Sequence, residues 1–189
     1  MELIEKKVFE KNNYTASPLA KGDYEYCVFK DCDFSNSDLA EINFLECEFS
    51  GCNLSLAKLT KTAFRAAKFK DCKMLGLQFE KCNTFGLTFS FDNCNLTHSS
   101  FYKTKIKKTA FRNSRLIEVD FTECDLTQSV FDNCDLTSAK FENTILEKAD
   151  FRTSFNYSID PALNRVKKAR FSLTGIAGLL DNYDIEIEL

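Results

Sequence analysis

Val119-Asp120-Phe121-Thr122-Glu123-Cys124-Asp125-Leu126-Thr127-Gln128-Ser129-Val130-Phe131-Asp132-Asn133-Cys134-Asp135-Leu136-Thr137-Ser138 repeats itself every five residues. Phe121, Leu126, Phe131 and Leu136 mark the phase, each preceded two places earlier by a smaller residue. Extended outward, the phase runs from Phe9 to Thr84 and, after a two-residue slip, from Phe91 to Phe171, a total of 33 pentads. Of the 19 phenylalanines only Phe85 and Phe155 lie outside it, with Phe89 standing in the slip. All nine cysteines (Cys27, Cys32, Cys47, Cys52, Cys72, Cys82, Cys94, Cys124 and Cys134) sit two residues before a phase position. Ala57, Ala67, Ala139, Ser37, Ser99, Ser129, Thr62, Thr104 and Thr144 share that slot, so the common property read from sequence is small size.

A period of five matches neither the 3.6 of a helix nor the 2 of a long strand, so the chain has to turn at regular intervals. Two residues spaced two apart in extended backbone point the same way, which makes each pentad a short straight side with one small and one large residue facing inward. Polar residues such as Asp33, Asp38, Asn53, Asp120, Asp125, Asp135 and Asp150 precede the large residue and face outward or bond the turn backbone. At 189 residues, 44% hydrophobic and 28% charged, the chain is one folded domain's worth and lies outside the composition of disorder.

The pattern resembles the pentapeptide-repeat family, A(D/N)LXX, in Cys32-Asp33-Phe34-Ser35-Asn36, in Cys124-Asp125-Leu126-Thr127-Gln128 and in Ala149-Asp150-Phe151-Arg152-Thr153. That resemblance, over about residues 7–173, implies an all-β fold, a right-handed quadrilateral β-helix in which four pentads make one square coil. Folding the sequence at twenty then stacks Phe9, Phe29, Phe49, Phe69, Phe91, Phe111, Phe131, Phe151 and Phe171 in one column, if residues 85–91 form a two-residue bulge with Phe89 inward. About eight coils at roughly 4.8 Å give a rod some 40 Å tall. The expected division is an N-terminal cap at 1–8, the β-helix at 9–173 and a C-terminal helix and tail at 174–189.

After Phe171, Ser172 is placed to cap a short helix with Leu173, Ile176, Leu179 and Leu180 on one face, and Asp184 to Leu189 alternates like an edge strand. These residues, with Ile185 and Ile187, are candidates to seal the last coil, to form a dimer interface, or both. Residues 156–171, from Asn156-Tyr157-Ser158-Ile159-Asp160-Pro161 onward, resemble the closing coil of the Qnr-type quinolone-resistance proteins, as does Cys82-Asn83-Thr84-Phe85-Gly86-Leu87-Thr88-Phe89. That likeness implies a homodimer through the C-terminus and binding to a type II topoisomerase, DNA gyrase or topoisomerase IV. Many such proteins carry protruding loops; here the bulge is the one interruption of the period.

Catalysis, cofactors and metals find no address in the pattern. His98, the single histidine, falls at an outward position with no nucleophile or orienting carboxylate supplied by the repeat, and buried cysteines are small hydrophobes with suppressed reactivity. The six glycines are scattered and build no phosphate loop. The N-terminus, Met1-Glu2-Leu3-Ile4-Glu5-Lys6-Lys7, carries charge where a secretory leader is apolar, and no run approaches about eighteen apolar residues, so a cytoplasmic protein without a membrane segment is expected.

Duplex DNA of 40 Å carries roughly 24 negative charges at one per about 1.7 Å. Residues 7–173 hold 24 Lys and Arg against 22 Asp and Glu, so whole-surface mimicry of DNA is not supported, nor is direct nucleic-acid binding expected from that balance. An acidic cluster of Asp23, Glu25, Asp38, Glu41, Glu46 and Glu48 is the candidate partner-binding site, and Lys103, Lys105, Lys107 and Lys108 make a basic spot at mid-rod.

Overall fold

The computed structural model describes residues 2–183 and 185–186. Each pentad is one straight segment and four segments close a turn, so the chain winds as a parallel β-solenoid with four sides. The first side pairs β1 (Glu2–Glu5), β3 (Gly22–Glu25), β5 (Asn43–Leu45) and β7 (Ala63–Arg65). The second side pairs β2 (Val8–Glu10), β4 (Val28–Lys30), β6 (Glu48–Ser50), β8 (Ala67–Lys70), β9 (Phe89–Asp92), β10 (Ala110–Arg112) and β11 (Val130–Asp132). The third and fourth sides are held by isolated parallel bridges such as Asp33 to Asn53 and Asp38 to Lys58. The solenoid has about seven turns where the pentad count suggested about eight: the second side has seven strands, and beyond Asp132 it continues only as the bridges Val130 to Asp150 and Asp150 to Arg170.

The register is twenty residues, Phe29 opposite Phe49, except across the bulge, where Phe69 faces Phe91 and Ala67 faces Phe89. On the second side the rings of Phe9, Phe29, Phe49, Phe69, Phe91, Phe111, Phe131, Phe151 and Phe171 form one stack, its centroids 4.5 to 5.4 Å apart. A second stack, Phe79, Phe101, Phe121 and Phe141, fills the fourth side at 4.4 to 5.3 Å. Rings on adjoining sides meet edge to face, as Phe121 and Phe131 do at 5.9 Å, so each aromatic has both of its favoured partners.

The small slot turns out to be chosen for chemistry as well as size. The small residue one turn later donates to the carbonyl of the large inward residue, beside a backbone donor where there is one, as Cys124 N–H is to Phe121 O at 3.0 Å. Thr62 Oγ1 donates to Leu39 O at 2.7 Å, Thr144 Oγ1 to Phe121 O at 2.8 Å and Ser154 Oγ to Phe131 O at 2.7 Å. The thiols of Cys47, Cys52, Cys72, Cys94 and Cys134 make the same contact to Tyr24, Phe29, Phe49, Phe69 and Phe111 at 3.3 to 3.4 Å. Thiol and hydroxyl are interchangeable here because both are small donors.

Departures from the period cluster at the C-terminal end. Asn156, in phase with the inward column, turns outward at φ 59°, and Tyr157 and Ile159 fill the interior. The segment after Phe171 forms short 3₁₀ turns at Ile176–Leu179 and Asp181–Tyr183 in place of one amphipathic helix. Its glycines explain this: a side chain at Gly175 would strike the Tyr157 phenol, and one at Gly178 the Tyr157 carbonyl. Close approach demands glycine, and glycine weakens an α-helix. Ser172 Oγ accepts the Gly175 N–H at 3.1 Å, and Ile159 N–H donates to Gly178 O at 2.8 Å, tying the segment across the end of the rod. Of the expected edge strand, Ile185 and Glu186 carry no strand, while Asp184, Ile187, Glu188 and Leu189 lie outside the described residues.

Thr144→Val removes the hydroxyl donor to Phe121 O while keeping shape, and the carbonyl retains the Cys124 N–H at 3.0 Å; a loss of about 0.5–1.5 kcal/mol in urea denaturation is expected, against a smaller loss for Thr144→Ser. Equal losses for the two variants would contradict the donor role.

Candidate functional site

With the interior filled by side chains, what the protein offers to other molecules is its outer surface. Chemistry inside the rod is suppressed by burial: desolvation pushes the thiols of Cys47, Cys124 and Cys134 up to about 12. Cys72, flanked by the thiols of Cys52 and Cys94 and buried as well, is also raised. Such thiols are poor nucleophiles and poor metal ligands, and among the described residues no group of three or more His, Cys, Asp or Glu is arranged to hold a metal ion. His98 stands exposed on a corner, its Nδ1 3.2 Å from Glu118 Oε2. A cleft of about 510 Å³ at the C-terminal end is lined by Ser154, Tyr157, Gly175, Gly178 and Asp181.

The six acidic candidates do not form one patch. Asp23 and Glu25 point out from the first side, Glu46 stands on its corner with the second side, and Glu48 lies on the second side itself. Asp38 belongs to the fourth side and Glu41 to the corner between the fourth and the first. Several are engaged: Asp23 accepts from Asn43 Nδ2, Asp38 Oδ1 accepts the Ala40 N–H at 2.9 Å, and Glu41 lies 3.8 Å from Lys61. Sequence proximity grouped residues that the square section distributes around the rod.

The C-terminal candidates divide in two. Leu179 packs against the core and Leu180 is half-buried, whereas Leu173 is 86% exposed and Ile176 and Ile185 are also exposed. Ile187 lies outside the described residues. One feature was not foreseen: at the bulge, Phe85 projects with 77% exposure, its ring 5.6 Å from the Arg65 guanidinium, while Leu87 and Phe89 turn inward. Its only signal in sequence was that Phe85 falls outside the five-residue phase.

The model of the pentapeptide repeat region matches residues 23–90 and 88–155. No curated protein sequence matches the chain. Among solved structures, a trypsin-treated form of QnrB1, described as a plasmid-mediated fluoroquinolone resistance protein, is similar with a TM-score of 0.65, 16% identity and 99% of each chain covered. Full-length QnrB1 gives a TM-score of 0.65 at 15% identity, covering 97% of this chain and 100% of that one. HetL of the cyanobacterium Nostoc sp. strain PCC 7120, a pentapeptide repeat protein involved in heterocyst differentiation regulation, aligns at a TM-score of 0.32 and 15% identity, with 92% and 87% covered.

The buried thiols set an alkaline limit on stability. Unfolded, each thiol ionises near pH 9, whereas Cys47, Cys124 and Cys134 hold their protons in the folded state to about 12. The unfolded chain therefore binds fewer protons above pH 9, so the stability present below that pH is lost progressively as pH rises toward 12. In urea titrations between pH 9 and 11, Cys134→Ser, which keeps a donor but does not ionise, should flatten the decline by about 1.4 kcal/mol per pH unit. An unaltered slope would refute the burial argument.

Proposed function

The chain belongs to the pentapeptide repeat family, and from that premise we propose that it is a Qnr-like protein that binds a type II topoisomerase, DNA gyrase or topoisomerase IV, and lowers its sensitivity to quinolones. The observation that supports this reading is the end-to-end likeness to QnrB1, an alignment that covers 99% of each chain. It acts by docking in the cytoplasm, without making or breaking bonds: the columns that fill the rod leave no chamber for a substrate, and burial holds the thiols of Cys47, Cys124 and Cys134 protonated. Because positive and negative charges nearly balance along residues 7–173, recognition works through local patches of shape and charge, with Phe85 at the bulge, Asp23 and Glu25 on the first side and Glu46 on its corner.

Leu173, Ile176 and Ile185, exposed beside a tail whose Leu179 already closes the core, suit a two-fold contact with a second copy, since an isologous patch need only complement itself. The working form in this reading is a homodimer, roughly twice the length of one rod.

A supercoiling assay with purified gyrase and ciprofloxacin tests the function: restored supercoiling at micromolar protein is expected, and neither rescue nor inhibition would overturn it. Repeated recovery of a different protein and no topoisomerase subunit in pull-downs would favour a scaffold for an unrelated partner. For the dimer, Leu173→Asp combined with Ile176→Asp should halve the mass seen by analytical ultracentrifugation while leaving the melt unchanged; a monomeric unsubstituted chain would refute it.

A further inference from the structure

The charge balance of the whole chain hides how the square section sorts charges by side. On the second side, the outward residues after the inward phenylalanines from Phe69 to Phe151 alternate in sign along the axis: Lys70, Asp92, Arg112, Asp132 and Arg152. Elsewhere, neighbouring turns also neutralise one another: Glu41 with Lys61, His98 with Glu118, and Lys103 with Glu123 at 3.5 Å. Opposite charges in register stabilise a ladder, and like charges oppose it.

The C-terminal half of the first side breaks that rule. Bridges from Lys105 to Asp125, to Ile145 and to Arg165 stack four turns there. The adjoining corner, in left-handed backbone, carries Lys108, Gln128, Lys148 and Lys168 in one row, joined by the bonds Lys108 N–H to Thr127 O, Gln128 N–H to Glu147 O and Lys148 N–H to Lys167 O. With Lys107 and Lys167 this makes seven cations against two carboxylates on one flat strip. The carboxylates are both engaged, Asp125 with Lys107 at 3.1 Å and Glu147 with Arg165 at 2.6 Å. Among the described residues, none of Lys105, Lys108, Lys148, Lys167 and Lys168 has a carboxylate within 4.0 Å. All five are exposed, and Lys148 and Lys168 stand one turn apart with nothing between them.

We propose that this strip, centred on Lys105, Lys108, Lys148, Lys167 and Lys168, binds the phosphate backbone of duplex nucleic acid without reading its sequence. A row of unpaired like charges held at fixed spacing on a rigid rod favours an external polyanion, and a polyphosphate supplies anions at regular intervals. Four turns at roughly 4.8 Å span about 14 Å, which faces several phosphates of a duplex whose strands rise about 3.4 Å per nucleotide. The strip is flat and offers neither helix nor ribbon to enter a groove. It carries no aromatic residue on which unpaired bases could stack, which disfavours a single strand. Nor does it carry an exposed apolar side chain to enter a lipid surface, its outward Ile145 being half-buried.

The test is fluorescence anisotropy of a labelled random-sequence DNA duplex with the full chain, titrated in salt. Binding at 50 mM salt that weakens with a log–log slope of about −3 to −4 is expected, at about −0.9 per phosphate contact. Lys148→Glu with Lys168→Glu should weaken it at least tenfold and reduce that slope by about 2. Lys30→Glu with Lys70→Glu on the second side changes net charge equally and should leave affinity within twofold; thermal melts check that both pairs fold. No binding at 50 mM salt, or equal effects of the two pairs, would overturn the proposal. So would capture by phosphatidylserine vesicles but not duplex, or salt-sensitive self-association without duplex binding, which would assign the strip to a membrane or to the acidic half of a second copy's first side.

Discussion

Everything in this molecule depends on residues twenty apart lying directly over one another. Parallel pairing at one turn's spacing brings ring over ring, as in Phe29 on Phe49 at 4.8 Å, and burial of each ring contributes about 1.5–3 kcal/mol with a further 0.5–1.5 from aromatic contact. Each turn touches only its neighbours, so these contributions accumulate along the rod with no single centre. The arrangement also leaves the inward residue's carbonyl buried with room for a further donor, as at Phe121 O, which takes both the Cys124 N–H and the Thr144 hydroxyl. Hydroxyls and thiols at the small slot meet it, and so one short alphabet of Cys, Ser and Thr, with Ala where no donor is required, recurs from end to end.

The corners are where this architecture strains against the preferences of L-amino acids. Non-glycine residues with φ near +50° to +60°, among them Tyr26, Glu46, Lys108, Lys148 and Lys168, occupy them turn after turn, a conformation that costs free energy for any residue with a Cβ. Most corner N–H groups are compensated by a bond to the next turn, as Tyr26 is to Leu45 O and Asp31 to Ser50 O at 2.9 Å. All of these left-handed residues are exposed. The strained positions are thus the ones whose side chains stand farthest from the axis, which makes the corners the natural place for residues that meet a partner.

The inward columns were legible because their signal is redundant: the same phase is written in phenylalanines and, independently, in cysteines. Even the bulge could be placed, since only a two-residue slip keeps Phe69 under Phe91. The closing coil was less readable. Asn156 kept the phase while Tyr157, one residue on, supplied the buried ring, and no periodicity argument distinguishes them. The apolar tail suggested a helix because Leu173, Ile176, Leu179 and Leu180 are helically spaced; the contrary information was in Gly175 and Gly178, whose role is visible only once Tyr157 is seen pressed against them. Among candidate surface residues, the acids were grouped by nearness along the chain, but a square section carries successive pentads to different sides.

That last point is general for a rod of this kind. Net charge is a property of the chain, whereas a partner meets one side at a time, and the side is set by sequence position modulo twenty once the two-residue bulge is counted. Residues 7–173 are close to neutral, yet the first side runs from carboxylates at Glu5, Asp23, Glu25 and Glu46 to the lysines at 105, 108, 148, 167 and 168. A substitution outside the columns alters this pattern at little cost to the fold, because exposed positions away from caps and buried bonds change stability by no more than about 0.5 kcal/mol. Core and surface are therefore nearly independent, and low identity to other rods, 16% with QnrB1, is what a fold specified by two positions in five permits. Rods of one architecture then differ from one another in the order of charges along each side, and it is there that one member's contacts with its partner are tuned.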